Sequence, residues 1–107
     1  MTKEYEELYL GEIKSIDMSI EEILNQVVEI CKKNEAEEVI LFGSWAKGKA
    51  HERSDIDIAV TGVKDIENLR EELENIPTLR SFDIVDKEHC KNELLIMEIE
   101  QYGRKIL

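Results

Sequence analysis

The stretch LFGSWAKGKAHERSDIDIAV, residues 41–60, contains the pattern that decides the fold of this 107-residue chain. It starts in an apolar run, turns at a Gly-Ser pair and ends in a segment where acidic and apolar residues alternate. On a strand, Asp55 and Asp57 of that segment would share one face, about 6–7 Å apart. Carboxylates beside a core are costly unless a cation or water compensates their charge. The stretch therefore predicts two strands joined by a turn, with an acidic site beside them.

The flanking segments predict helices and strands in alternation. Ser19 begins a helix, because Glu22 completes a capping box and apolar residues follow at helical spacing. The further predicted elements are strands over 38–42, 55–61 and 80–86, a helix capped by Asp65 and ended by Pro77, a final helix over 92–102 stopped by Gly103, and a short edge strand in RKIL.

This order predicts an α/β (α+β) fold of two layers, in which a small mixed sheet of three to four strands packs with about four helices. Residues 1–107 are expected to form a single domain with its core over about 20–107, because the length allows one modest core. The connection between the first two strands is too short to decide between parallel and antiparallel pairing.

Two local expectations concern the ends of the chain. A short helical turn is expected around Tyr5, Leu8 and Tyr9. In the final helix, apolar side chains are expected to face inward; they are Leu94, Leu95, Ile99 and Tyr102.

Composition limits the classes of partner. The net charge of −11 opposes nucleic-acid phosphates, so direct nucleic-acid binding is not expected, whereas a basic protein partner is favoured. The sequence lacks a signal peptide and a long apolar run, which predicts a cytoplasmic protein without membrane association. Cys31 and Cys90 match no metal or redox spacing, and Cys31 is expected to be a buried free thiol.

The Gly-Ser pair and the alternating acids have a chemical interpretation. Gly43 at a strand end allows close approach of a ligand, and Ser44 adds donors at a helix start, where phosphates bind. Carboxylates of Asp55 and Asp57 could converge on Mg²⁺ ions that serve an in-line phosphoryl displacement. The structural alternative is that Ser44 caps a helix and both acids face solvent.

GSWAKGKAHERSDIDIAV resembles the signature Gly-Ser-x10-Asp-x-Asp of the DNA polymerase β nucleotidyltransferase superfamily. The chain as a whole resembles its minimal nucleotidyltransferase (MNT) family over about residues 20–107, including FDIVD and EQYGRKIL. The resemblance implies that Gly43 and Ser44 bind the triphosphate of ATP and that Asp55 and Asp57 hold Mg²⁺, with two ions expected and Mn²⁺ as an alternative.

The resemblance also implies a third catalytic and metal-binding carboxylate, which is either Asp83 or Asp86. We choose Asp83, because it occupies the apolar-acid-apolar pattern of the family's strand. The chain departs from many relatives at Trp45, where they have arginine, and Trp45 is expected to pack rather than to stack on a base. Lys47 is then the candidate for binding phosphate, with Lys49 and Arg53 as alternatives.

Proteins that resemble this family are commonly encoded beside a HEPN-domain protein, a helical ribonuclease toxin. The resemblance therefore implies an antitoxin that transfers AMP from ATP to a hydroxyl of the toxin, expected to be a tyrosine. Two alternatives stay open: an antitoxin that acts by binding alone, and a nucleotidyltransferase with a small-molecule acceptor. A homodimer and a hetero-oligomer with the toxin are both compatible with the sequence.

Overall fold

The structure is a computed structural model that describes residues 17–51 and 53–107. The helical turn expected around Tyr5, Leu8 and Tyr9 lies outside the described residues. In chain order, the elements of the described part are α1 (Ile20–Lys33), β1 (Glu38–Phe42), α2 (Gly43–Lys47), β2 (Ile56–Thr61), α3 (Ile66–Glu74), β3 (Phe82–Asp86), a 3-10 turn (Lys87–His89), α4 (Glu93–Tyr102) and β4 (Arg104–Lys105).

Within these residues the strands form a four-stranded sheet in the order β3-β2-β1-β4. β1 is antiparallel to β2 and β4, while β2 and β3 are parallel, so the predicted mixed sheet is confirmed. The pairing of the first two strands, which the sequence left open, is antiparallel. The register places Phe42 of β1 and Asp83 of β3 on either side of Asp57.

Helices cover the two faces of the sheet unequally. α1 and α3 pack on one face and form the helical layer of the predicted α+β fold. The core between them and the sheet consists of buried aliphatic side chains: Ile23, Val27, Leu69, Leu73, Val39, Leu41, Ile56, Ile58, Val60 and Ile84. On the other face, α4 places Ile99 and Leu95 against a smaller apolar patch of Ile40, Phe42, Ala59 and Val85.

The helix boundaries follow local sequence signals. The Ser19 hydroxyl accepts a hydrogen bond from the Glu22 backbone N–H, and the Glu22 carboxylate accepts one from Ser19 N–H, which confirms the capping box. Asp65 caps α3 through the Asn68 N–H. Cys31 is a buried free thiol, as predicted, and burial raises its pKa to about 11.

The final helix exposes more apolar surface than its sequence predicted. Ile99 is buried and Leu95 half-buried, but the inward placement expected for Leu94 and Tyr102 is wrong. Their exposed fractions are 78% and 49%. The cause is the small apolar patch under α4, which accommodates only one row of side chains. No helix among the described residues is both long and apolar enough to cross a bilayer.

Candidate active site

The site begins where β1 turns into α2. Gly43 has φ +74, a left-handed backbone conformation that residues with a Cβ rarely adopt. A Cβ at this position would overlap Asp57 Oδ2, so the Asp57 carboxylate occupies the space that glycine leaves. Gly43 was expected to make room for a ligand, but its first role in the structure is to let Asp57 lie against the turn. Ser44 follows in the first turn of α2.

The acids of β2 and β3 meet across the parallel strand pair. Asp57 and Asp83 are register partners, so their side chains share one face of the sheet. Asp57 is half-buried and Asp83 is exposed. Strand alternation puts Asp86 on the opposite face, where its carboxylate lies 2.8 Å from His89 Nδ1. Of the two candidates for the third carboxylate, only Asp83 lies beside Asp57.

Backbone hydrogen bonds on both sides fix the position of Asp55 just before β2. The Ser54 hydroxyl accepts a 2.9 Å hydrogen bond from the His51 N–H, and Ser54 N–H donates to the His51 carbonyl at 3.0 Å. On the other side of Asp55, the Ile56 N–H donates to the Ser81 carbonyl at 2.9 Å. Asp55 is itself exposed, two residues from Asp57 on the same side of the extended chain. The candidate site residues thus lie at one end of three neighbouring strands, where β1 ends and where β2 and β3 begin. They are Gly43, Ser44, Asp55, Asp57 and Asp83.

The acids repel one another. Burial, followed by the charges of Asp83, Asp55 and Glu98, raises the pKa of Asp57 from its ordinary value of 3.8 to about 6. Among the described residues, every influence that shifts this pKa disfavours the ionised Asp57 carboxylate. A bound cation would favour that ionised form.

The donor set fits a divalent ion that shares its ligands with a substrate. Within residues 17–51 and 53–107, no group of three or more His, Cys, Asp or Glu side chains could hold a metal ion by itself. Mg²⁺ in nucleotide sites, however, takes one or two carboxylates and completes its shell with phosphates and water. Carboxylates at Asp55, Asp57 and Asp83, on an open face, match that kind of site and not a closed one.

Lys47 has partners that the sequence did not predict. Its ammonium lies 3.5 Å from Glu98 Oε1 and 5.0 Å from the centre of the Tyr102 ring, both on α4. The phosphate-binding candidate is thus held by an ion pair and a cation–π contact. Sequence patterns did not identify Glu98 as a neighbour of the acids, because they do not show that α4 crosses the sheet face that carries Asp57.

Trp45 packs, as expected. Its ring lies against the main core, its Nε1 donates to the Ser54 carbonyl at 3.4 Å, and the Arg80 guanidinium lies 5.2 Å from the ring centre. Trp45 therefore supports Ser54, the residue next to Asp55.

Comparisons with known proteins agree with this geometry. The family model "Polymerase beta, Nucleotidyltransferase" matches residues 25–107. No curated protein gives a significant match. A crystal structure of a toxin–antitoxin with AMP-PNP is similar at 26% identity and a TM-score of 0.65, covering 78% of this chain and 71% of the other.

Two mutant forms of the toxin–antitoxin MntA-HpeT are similar in structure as well. Both have a TM-score of 0.63 and cover 78% of this chain and 70% of theirs, at 23% and 26% identity. The likeness at 23% identity bears on the fold alone.

Proposed function

Because the chain belongs to the polymerase β nucleotidyltransferase family, we propose that it transfers AMP from ATP to a tyrosine hydroxyl of a HEPN-domain toxin and so acts as an antitoxin. The observation that carries this proposal is the half-buried Asp57 carboxylate, which lies against Gly43 and beside Asp83. The similar toxin–antitoxin crystallised with AMP-PNP supports an adenine nucleotide as the substrate.

In this proposal Asp55, Asp57 and Asp83 hold Mg²⁺, or Mn²⁺ in its place, together with phosphate oxygens and water. The ions, when bound, stabilise the charge on the attacking and leaving oxygens of an in-line displacement. The raised pKa of Asp57 supports this role, because a carboxylate whose charge is disfavoured by burial and by acidic neighbours gains most from a cation.

The chain's own residues bind and orient the reactants. Gly43 and Ser44 hold the triphosphate where β1 turns into α2. Asp83, which is exposed and therefore accessible to an acceptor, takes the proton of the acceptor hydroxyl. The acceptor oxygen forms a bond to the α-phosphorus, the bond from that phosphorus to the bridging oxygen breaks, and pyrophosphate leaves.

The open face favours a protein as the acceptor. Asp55 and Asp83 are both exposed, so water would compete with the acceptor hydroxyl unless something covers the site. A protein partner can bring its hydroxyl into line and exclude water in the same step. The net charge of −11 favours a basic protein over a tRNA-like acceptor.

An antitoxin that acts by binding alone would not need this site. The burial of Asp57 among other acids costs stability, and a purely structural surface avoids this cost by leaving its acids exposed and spaced apart. A small-molecule acceptor remains the other alternative. In that case a small molecule, and not a partner protein, would raise the rate of the reaction.

Pyrophosphate release tests the proposal. The chain alone, with ATP and Mg²⁺, should release pyrophosphate slowly, and the product of the adjacent gene, which we expect to be a HEPN-domain protein, should raise the rate sharply. The double variant Asp55→Asn, Asp57→Asn should show no release above background, while Asp86→Asn, on the opposite sheet face, should behave as the wild type. An unchanged rate in the double variant would show that the site is assigned wrongly.

A further inference from the structure

α4 exposes large side chains that its packing on the sheet does not use. The exposed fractions of Leu94, Met97 and Tyr102 are 78%, 59% and 49%. Single exposed apolar residues are common on protein surfaces, but three within nine residues of one helix form a local patch. We call these three residues the α4 patch.

The α4 patch borders the candidate active site. Leu94, Glu98 and Tyr102 follow one another at intervals of four residues, so they form one row along the helix. The middle of that row is tied to α2, because Glu98 is paired with Lys47, which also lies over Tyr102. The charge of Glu98 reaches Asp57 as well. A molecule that covers this row therefore lies next to the acids.

The charge around the patch indicates the chemistry of its occupant. The sequence of α4, ELLIMEIEQY, contains three glutamates and no Lys, Arg or His. The nearest cations along the sequence are Lys91 and Arg104, beyond its two ends. Two lysines reach the helix from other elements, and both are already paired: Lys47 with Glu98 and Lys87 with Glu100. The matching surface is apolar at its centre and carries Lys or Arg at its rim.

We propose that the α4 patch is the docking surface for the acceptor protein of the reaction proposed above, on which this inference rests. Docking there places the partner over the row that borders Asp57, where it can cover the open face and present its hydroxyl. A second copy of this chain fits less well, because a two-fold contact through α4 would bring two sets of glutamates together.

Affinity for the HEPN-domain protein of the preceding assay, measured by isothermal titration calorimetry without ATP, tests the docking surface. The double variant Leu94→Asp, Met97→Asp should lose roughly tenfold or more in affinity, as expected when central apolar anchors of an interface are removed. The matched control is Leu79→Asp. Leu79 is 81% exposed but lies between α3 and β3, so its variant should keep wild-type affinity. Circular dichroism melts should show all variants folded.

Each outcome decides the inference separately from the reaction. If the α4 variant binds the partner as tightly as the wild type, or if no complex forms with the wild type, the docking surface is wrong. An effect of the α4 variant on self-association alone, seen by sedimentation, would also overturn it. If affinity falls as expected but the wild-type complex never yields a modified partner, docking is upheld and the proposed reaction fails.

Discussion

At the scale of single residues, Gly43 and Asp57 depend on each other. The carboxylate of Asp57 can lie against the turn only because Gly43 has no side chain. The sequence pattern located both residues, and it located Asp55 and Ser44 with them. It could not reveal that Glu98, 41 residues beyond Asp57 in the chain, adds its charge to the same site, because that proximity depends on how α4 crosses the sheet.

The raised pKa of Asp57 predicts a pH dependence of stability in the absence of divalent ions. Because the folded state holds this proton up to about pH 6 and the unfolded state loses it near 3.8, stability should fall as pH rises between these values. If the whole pKa difference of Asp57 acted on the free energy of unfolding, the change would be about 3 kcal/mol. Since Asp57 is only half-buried, screening by solvent reduces the expected effect to about 1 kcal/mol.

Asp57→Asn removes this penalty. At pH 7 in EDTA the variant should melt about 4–8 °C above the wild type, as about 1 kcal/mol implies for a domain of this size. The two melting temperatures should converge as pH falls to about 3, because Asp57 is protonated in both states only below its ordinary pKa of 3.8. Equal melting temperatures at pH 7 would mean that neither burial nor the neighbouring charges penalise the ionised Asp57 carboxylate in the folded protein.

Asp83 and Asp86 provide a matched pair for testing the proton acceptor. They lie on the same strand but on opposite faces, and only Asp83 is beside Asp57. Asp83→Asn should reduce pyrophosphate release with the partner by about 10²–10⁴-fold, the usual contribution of a general base. Asp86→Asn should leave the rate near that of the wild type. The opposite result would reverse the face assigned to the third carboxylate.

At the scale of elements, the turn from β1 into α2 positions the site. The strand EVILF and the capping box of α1 were predictable, because local sequence signals determine both. The orientation of α4 was not. Its periodic apolar residues predicted that Leu94 and Tyr102 would face inward, but the apolar area of the sheet beneath α4 is too small to cover them.

Two glycines test the requirement of this turn. Gly43 is the first residue of α2 and Gly48 follows its last residue, and both have left-handed backbone conformations, with φ of +74 and +72. Alanine at either position should cost about 1–2 kcal/mol in stability from backbone strain. A Cβ at Gly48 meets nothing within 4 Å, whereas one at Gly43 overlaps the Asp57 carboxylate.

Gly43→Ala should therefore displace Asp57 and lower the rate of pyrophosphate release by at least about a hundredfold, as losing precise placement of a catalytic group commonly does. Gly48→Ala should keep most of the rate. Parallel thermal melts separate the common loss of stability from the specific loss of activity, and similar rates for the two variants would count against the role given to Gly43.

At the scale of the whole molecule, the order of elements and the family were both predictable. The pattern over residues 43–57 indicated a nucleotidyltransferase, and the family match over residues 25–107 confirms it. The antiparallel pairing of β1 with β2 was not predictable, because a connection of that length permits either arrangement. The partner is also beyond the sequence, since an open acidic face does not by itself specify what covers it.

The mass of the partner protein, measured together with its toxic activity, distinguishes catalysis from simple binding. The HEPN-domain protein is incubated with ATP, Mg²⁺ and either the wild-type chain or Asp57→Asn, and intact mass and ribonuclease activity are followed in the same samples. With the wild type, AMP adducts should accumulate on the partner as its ribonuclease activity falls. Asp57→Asn should produce no adduct and no lasting loss of activity once the complex is dissociated. Neutralisation by Asp57→Asn that persists after the complex is dissociated, or lasting neutralisation by the wild type with no change in the partner's mass, would contradict nucleotidyl transfer to the partner.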